Sequence, residues 1–309
     1  MESAVADRLR SRRVKAVAER EPVLRQLYEG RFVGIADWYC PPKADVWLEE
    51  NRVESSVPLV AFPRKPVLIQ HTGSEPLLAT PNEALFHNPG QEYRRDLRSP
   101  SGDHSLLLQL QPEAVKLLEL ATNSVRDGRL TVGWAPVRQQ NYLDQHALLH
   151  LLEGGKRDEP LIEDVALRLA GSVLSVEGRP QPTRNETVHE HHQLAERAKE
   201  LIAGSIEEST SLRQLANGLG VSQFHLARVF RAHTGFAIHD YRTTLRLRLA
   251  LEELPAARGN IARLAAGLGF ASHSHFTDSF RREFGMPPSA AGSEAAMLNL
   301  LRRSVELTR

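Results

Sequence analysis

The sequence contains a single cysteine, Cys40. One thiol cannot form a disulfide within the chain or a multi-cysteine zinc cluster. No apolar run approaches the ~18 residues that a membrane span requires. The first residues, Met1-Glu2-Ser3-Ala4, lead into an Arg-rich polar stretch rather than an apolar signal segment. A cytoplasmic protein is the simplest reading. Net charge is also scarce, at +1 over 309 residues, so the chain as a whole does not announce a nucleic-acid partner. Its length allows two domains and a sizeable core.

The charge is unevenly placed. Residues 211–290 hold ten Arg against five Asp or Glu, a local net of +5. Such an excess on one module is the footprint expected of phosphate binding, and equally of a solvated surface. The same region carries a pattern written twice. Leu215-Ala216-Asn217-Gly218-Leu219-Gly220-Val221-Ser222 is followed by Leu226, Phe230, Arg231 and Gly235. Leu264-Ala265-Ala266-Gly267-Leu268-Gly269-Phe270-Ala271-Ser272 is followed by Phe276, Phe280, Arg281 and Gly285. The offset is 49 residues up to the glycine turn and 50 beyond it, because the second copy has one inserted residue.

Each copy reads as helix–turn–helix. Ser211 and Gln214 fit a capping box, and Asn260 caps the second copy. Gly218 with Gly220, and Gly267 with Gly269, permit the turns. Ser222 and Ser272 cap the second helices, and Gly235 ends the first of these. Leu226, Val229 and Phe230 take one face, as do Phe276, Phe280 and Phe284. That leaves Gln223, Phe224, Ala227 and Arg228 outward in the first copy, and His273, Ser274, Thr277 and Asp278 in the second. These positions meet base edges in such motifs. Arg228 can donate two hydrogen bonds to a guanine edge, and Phe224 can touch a thymine methyl. Ser222, Arg231, Ser272, Arg281 and Arg282 are candidates for phosphate. Between the copies, 238–254 is expected to be a helix clamped between two lobes despite its strand-like leucine alternation. Arg242 and Arg246 would then share an exposed line and join the phosphate candidates. Two recognition helices on a rigid spacer can enter successive major grooves about 34 Å apart.

Upstream, 1–30 reads as one or two helices. Residues 31–112 show short apolar runs (57–62, 66–71, 83–87 and 104–110) separated by turn signals, the pattern of an antiparallel sandwich or barrel. From 112 helical spacing returns, with a hairpin over 143–177 whose apolar content suggests a dimerisation surface. Residues 178–189 are polar with two prolines and read as a linker. The fold class is α+β. Its parts are a barrel-and-hairpin domain at 1–177, a linker at 178–189, an all-α domain at 190–290 and a helical tail at 291–309.

Residues 191–290 resemble the DNA-binding domain of the AraC family of bacterial transcription regulators. The segments 215–231 and 261–288 carry the resemblance, most specifically Gly269-Phe270, the Phe276 and Phe280 pair, and the Gly285-Met286-Pro287 ending. The family implies a seven-helix module, double-stranded DNA and RNA polymerase as partners, and more often activation than repression. Ala237 stands where the family usually has proline. Asp278 places an anion where a polar or basic group is usual. Many members join a cupin-like barrel to this module, and 31–177 fit that order. His71, His87, Tyr93 and Arg94 are the candidates to line an effector pocket.

No cofactor or metal is expected. The barrel lacks His-x-His, and His189-Glu190-His191-His192 reads as a solvated helix start. Cys40 reads as a packed thiol rather than a redox sensor. DNA-repair methyltransfer, found fused to this kind of domain, needs several cysteines and is excluded. The expected function is a DNA-binding regulator controlled by a small effector, not an enzyme. A cupin enzyme with a DNA-binding appendage, or a ligandless DNA-binding dimer, are the alternatives.

Overall fold

The computed structural model describes residues 21–47, 49–153, 158–175, 186–257, 260–291, 293 and 295. Its first half is two facing antiparallel sheets. The larger has the strand order β1 (Val23–Glu29), β2 (Val33–Cys40), β9 (Asp103–Leu110), β4 (Leu59–Pro63), β7 (Glu83–His87) and β12 (Trp134–Pro136). The smaller runs β3 (Asn51–Arg52), β8 (Glu92–Leu97), β5 (Val67–His71) and β6 (Leu77–Ala79). A two-residue pair, β10 (Val125–Arg126) with β11 (Arg129–Leu130), stands apart.

Side chains alternate across a strand, and β9 divides a largely polar face from an apolar one. Asp103, Ser105, Leu107 and Gln109 face the space between the sheets. Leu106, Leu108 and Leu110 join the core on the other face. That core is completed by α1 (Pro112–Ala121), α2 (Gln139–Glu153) and α3 (Glu159–Leu174). Leu143, Ala147, Leu148 and Leu151 of α2 are buried, as are Val165, Leu169, Val173 and Leu174 of α3. The hairpin's surplus of apolar residues is therefore consumed within the chain, which removes the ground for reading it as a dimerisation surface. The exposed large apolar residues of this layer are Leu117 and Leu120 on α1.

Two boundaries differ from expectation. Residues 23–29, read as part of a helix, form edge strand β1, paired antiparallel with β2. Pairing with β2 overrides the weak helical pattern, and an edge strand exposed on both faces shows no clean alternation. Residues 1–20 lie outside the described residues. Helix α4 (Glu186–Gly204) begins inside the expected linker, while 178–185 lie outside the described residues, as does most of the 291–309 tail.

The second half is helical throughout: α4, α5 (Leu212–Gly218), α6 (Gln223–Thr234), α7 (Ile238–Glu253), α8 (Ile261–Gly267), α9 (His273–Phe284) and α10 (Pro288–Ala291). All four caps form. Ser211 closes a full capping box with Gln214. Ser222, Asn260 and Ser272 accept from the backbone N–H of His225, Arg263 and His275. Gly235 and Gly285 end α6 and α9 in the left-handed region. In the two turns only the second glycine takes positive φ, +70° at Gly220 and +74° at Gly269. Gly218 and Gly267 are the last helical residues. Helix α7 is apolar on more than one face because both lobes cover it: Leu245, Leu247, Leu249 and Leu251 are all buried.

Candidate nucleic-acid interface and barrel cavity

Each recognition helix is held by an apolar face that turns its other face to water. In α6, Leu226, Val229 and Phe230 are buried, and Phe230 meets Tyr241 edge-on at 5.3 Å. Gln223 and Arg228 are exposed and Ala227 is half-buried. Phe224 is 81% exposed, an apolar ring whose removal from water is favourable and a surface available to a thymine methyl. In α9 the stripe Phe276, Phe280 and Phe284 is buried, with consecutive rings 5.6 and 4.5 Å apart. His273, Ser274 and Asp278 are exposed. Thr277 is only half-exposed, and its hydroxyl oxygen is buried with no partner among the described residues, so it turns inward rather than toward a groove. Arg231, Arg281 and Arg282 are exposed at the ends of the helices, and Ser222 and Ser272 at their starts.

Arg242 and Arg246 do not belong with them. Arg242 donates to the Thr210 carbonyl at 2.6 Å. Arg246 is 9% exposed and donates to the carbonyls of Ile206, Glu208 and Gly269 at 2.7, 2.7 and 3.0 Å. Its guanidinium is spent on backbone that helix ends and turns leave unsatisfied. It ties the α4–α5 connection and the second turn to the middle of α7. Burial lowers the pKa of both groups.

Sequence reasoning missed the contact between the sheets and the helices. Glu83, at the start of β7, accepts from the Tyr241 hydroxyl of α7 at 3.0 Å and lies 3.4 Å from the Lys199 ammonium of α4. Lys199 also pairs with Glu196 at 3.1 Å. Glu196 accepts from the backbone N–H of Leu78 at 2.6 Å and meets His233 at 2.7 Å. Asn82 donates to the Tyr241 carbonyl. The fully buried Arg248 donates to the carbonyls of Pro81 and Val137 at 2.8 and 2.9 Å and packs over the Tyr142 ring. Glu252 is paired with Arg64 and accepts from Tyr142. Burial alone would raise the Glu196 carboxyl, yet Lys199 and His233 hold it at about 2. Burial alone would lower the Lys199 ammonium, and Glu196 and Glu83 raise it instead.

His192, Glu196 and His233 bring potential ligand atoms within 4.8 Å of one another. A cation there would sit beside Lys199 and displace its hydrogen bonds, while His192 is already bonded to the Pro76 carbonyl. This donor set suits an ion-pair network better than a metal.

Between the sheets lies a cavity of about 740 Å³. Leu59, Ala61, Leu85 and Leu107 line it from one sheet, and Val67, Ile69, Tyr93 and Arg95 from the other. Of the expected pocket residues, His87 and Tyr93 line it. His71 lies behind, its ring 2.9 Å from His87. Arg94 points outward to Glu50. The pleat gives this place to Arg95, since residues one apart face opposite sides. Burial pushes His87 down to about 3, with His71 adding to it, so the pair is neutral. Cys40 is fully buried, and burial lifts its thiol to about 11, the reverse of an activated thiolate.

A family model described as "Helix-turn-helix domain" matches residues 215–292. The regulatory protein SoxS of Salmonella typhimurium is 33% identical over 99 residues, which cover 32% of this chain and 92% of SoxS. The HTH-type transcriptional regulator GlxA of Rhizobium meliloti is 34% identical over 91 residues, covering 29% of this chain and 28% of GlxA. The HTH-type transcriptional activator RhaR of Enterobacter sp. is 27% identical over 136 residues, covering 44% and 48%. The matches thus span well under two thirds of GlxA and RhaR. Among solved structures, an AraC-type transcriptional regulator from Chromobacterium violaceum is similar with a TM-score of 0.32 and 28% identity, over 35% of this chain and 96% of that one. ToxT of Vibrio cholerae O395 is similar over 91% of this chain and 98% of its own, with a TM-score of 0.32 and 9% identity. Among the described residues, no helix is long and apolar enough to cross a membrane.

Proposed function

The chain belongs to the AraC family of transcription regulators, and from that premise we propose how it works: a small molecule in the barrel cavity controls reading of DNA by α6 and α9. DNA binding is the family's property. The residue roles are the proposal. Gln223, Phe224, Ala227 and Arg228 read bases, with His273, Ser274 and Asp278 as a second and weaker set. Arg231, Arg281 and Arg282 contact phosphates, helped by the hydroxyls of Ser222 and Ser272. Base contacts carry the sequence information, and phosphate contacts fix the register.

One observation supports control by an effector. Strand β7 carries Leu85 and His87 on the cavity wall and Glu83 against Tyr241 and Lys199. A molecule that shifts the wall acts directly on the contacts of α7 and α4. It changes the balance of arrangements only by its difference in affinity for them. No catalytic step enters the proposal, and the relatives named above are regulators. Activation, the direction printed for RhaR, is the direction proposed, which implies RNA polymerase as a partner and the cytoplasm as the place of work. A homodimer is proposed as well, through the outer face of α1 with its exposed Leu117 and Leu120.

Selection of bound sequences from random DNA tests this reading. The expected result is a defined site with two contacted segments one helical turn apart, repeated if the protein binds as a dimer. Recovery of no preferred sequence would overturn the assignment of α6 and α9 as readers.

A further inference from the structure

Arg95 is the most unusual side chain on the cavity wall. Its side chain is 4% exposed. None of its N–H groups, the buried Nε included, has a hydrogen-bond partner among the described residues. The nearest acid, Asp103, lies at 3.7 Å, beyond hydrogen-bond distance. Asp103 itself accepts from Ser105, and its pKa is raised by burial, which Arg95 and Ser105 only partly oppose. Trp38 and Trp47 each stand 5.2 Å from the guanidinium carbon. Two indole faces thus fix the group without satisfying its donors.

A purely structural pair would close to a bidentate hydrogen bond, since a buried charge without one is costly. Here the geometry is that of a donor fork awaiting an acceptor. Val67, Ile69, Leu85 and Leu107 form an apolar patch facing the same space, with Asn51, Ser55, Ser105 and Gln109 on other parts of the wall. Tyr93 and His87 are neutral hydrogen-bonding groups beside it: burial raises the pKa of Tyr93 and lowers that of His87. Three acids also line the cavity: Glu50 and Glu54 at exposed positions, and the buried Asp103 beside Arg95. A buried cation beside an apolar patch, in a cavity of this size, suits a drug-sized ligand with one anionic end.

We propose that the cavity takes a monocarboxylate with an apolar body, and that Arg95 is the residue that recognises its carboxylate. This rests on the reading of the cavity as an effector site. The apolar body lies against the leucine, isoleucine and valine wall. The carboxylate accepts two N–H bonds from the guanidinium, and Tyr93 or His87 donates a third.

Matched pairs of probes test it on the full chain: octanoate against octanamide, and 2-naphthoate against 2-naphthamide, by calorimetry and thermal shift. Each acid should bind about 10–100-fold more tightly than its amide, the worth of a charge-assisted bidentate bond, and should raise the melting temperature. Arg95→Gln, its fold checked by circular dichroism, should remove that preference and leave amide binding unchanged. Arg95→Lys should keep part of it, because a point charge cannot offer the planar fork. If amides bind as tightly as acids, and Leu107→Trp abolishes both, the cavity is an effector site but the carboxylate assignment is wrong. If neither acids nor amides bind, nor any member of a neutral panel of sugars and amides, the effector reading falls with it.

Discussion

Tyr241→Phe removes one oxygen atom from the contact between the barrel and α7. The ring stays, buried and edge-on to Phe230 and Phe236 at 5.3 and 6.2 Å. What is lost is the hydroxyl that donates to Glu83 at 3.0 Å. A hydrogen bond to a charged group contributes about 1.5–3 kcal/mol. The carboxylate is not stripped bare, because the Thr80 backbone N–H and hydroxyl still donate to it at 2.9 and 2.7 Å and Lys199 stays at 3.4 Å. The loss therefore falls short of the 3–5 kcal/mol typical when a buried charge loses its sole partner, and about 2 kcal/mol is expected. The measurement is a double-mutant cycle of Tyr241→Phe with Glu83→Gln, by urea unfolding. The expected coupling energy is about 1.5–3 kcal/mol. A coupling under about 0.5 kcal/mol, within ordinary additivity, would show that the two groups do not hold the halves together.

Three further outcomes follow from named contacts. Arg228→Ala should weaken binding to the cognate site by about 1–3 kcal/mol and relax specificity at one base, whereas Arg281→Ala should weaken binding to every sequence and flatten its salt dependence; unchanged affinities in both variants would mean the faces are misassigned. Arg246→Ala should lower the melting temperature even without DNA, because three carbonyls lose their donor; an unaltered melt combined with lost DNA affinity would return Arg246 to the phosphate contacts. Acid should weaken the contact around Glu196. Its carboxyl is held at about 2 against an ordinary 4.5, so the stability it contributes is full above the ordinary value and disappears as pH falls toward 2. Unfolding measured across that window should lose roughly 3 kcal/mol in the native chain and much less in Glu196→Gln; equal slopes would contradict the pairing.

The helical half was legible because its signals are local. Caps, turn glycines and the phenylalanine stripe lie within one or two helices of each other, and the structure carries the caps, the stripe and the turns at Gly220 and Gly269 as read. The errors share a different cause. The polar run Tyr93-Arg94-Arg95-Asp96 gives no phase to a strand, so Arg94 was placed where Arg95 stands. Arg246 looks like any surface cation until the loops that cover it are known, and Glu196 with Lys199 resembles a solvated helical pair. Burial of Glu196 and Lys199 depends on residues 76–83, more than a hundred positions away. Local spacing does not encode such partners, whereas the apolar stripe that they interrupt does show through.

Arg246 fixes more than stability. By bonding to the α4–α5 connection and to the turn before α9, it cross-links the two lobes through α7 and opposes any change in the separation of two reading heads. The protein then behaves as a fixed caliper. Any mismatch between its opening and the groove spacing of straight DNA has to be absorbed by the double helix, at a bending cost of about 1–6 kcal/mol that depends on the sequence bent. Base steps lying between the two contacted segments, touched by no side chain, would then help decide which sites are occupied.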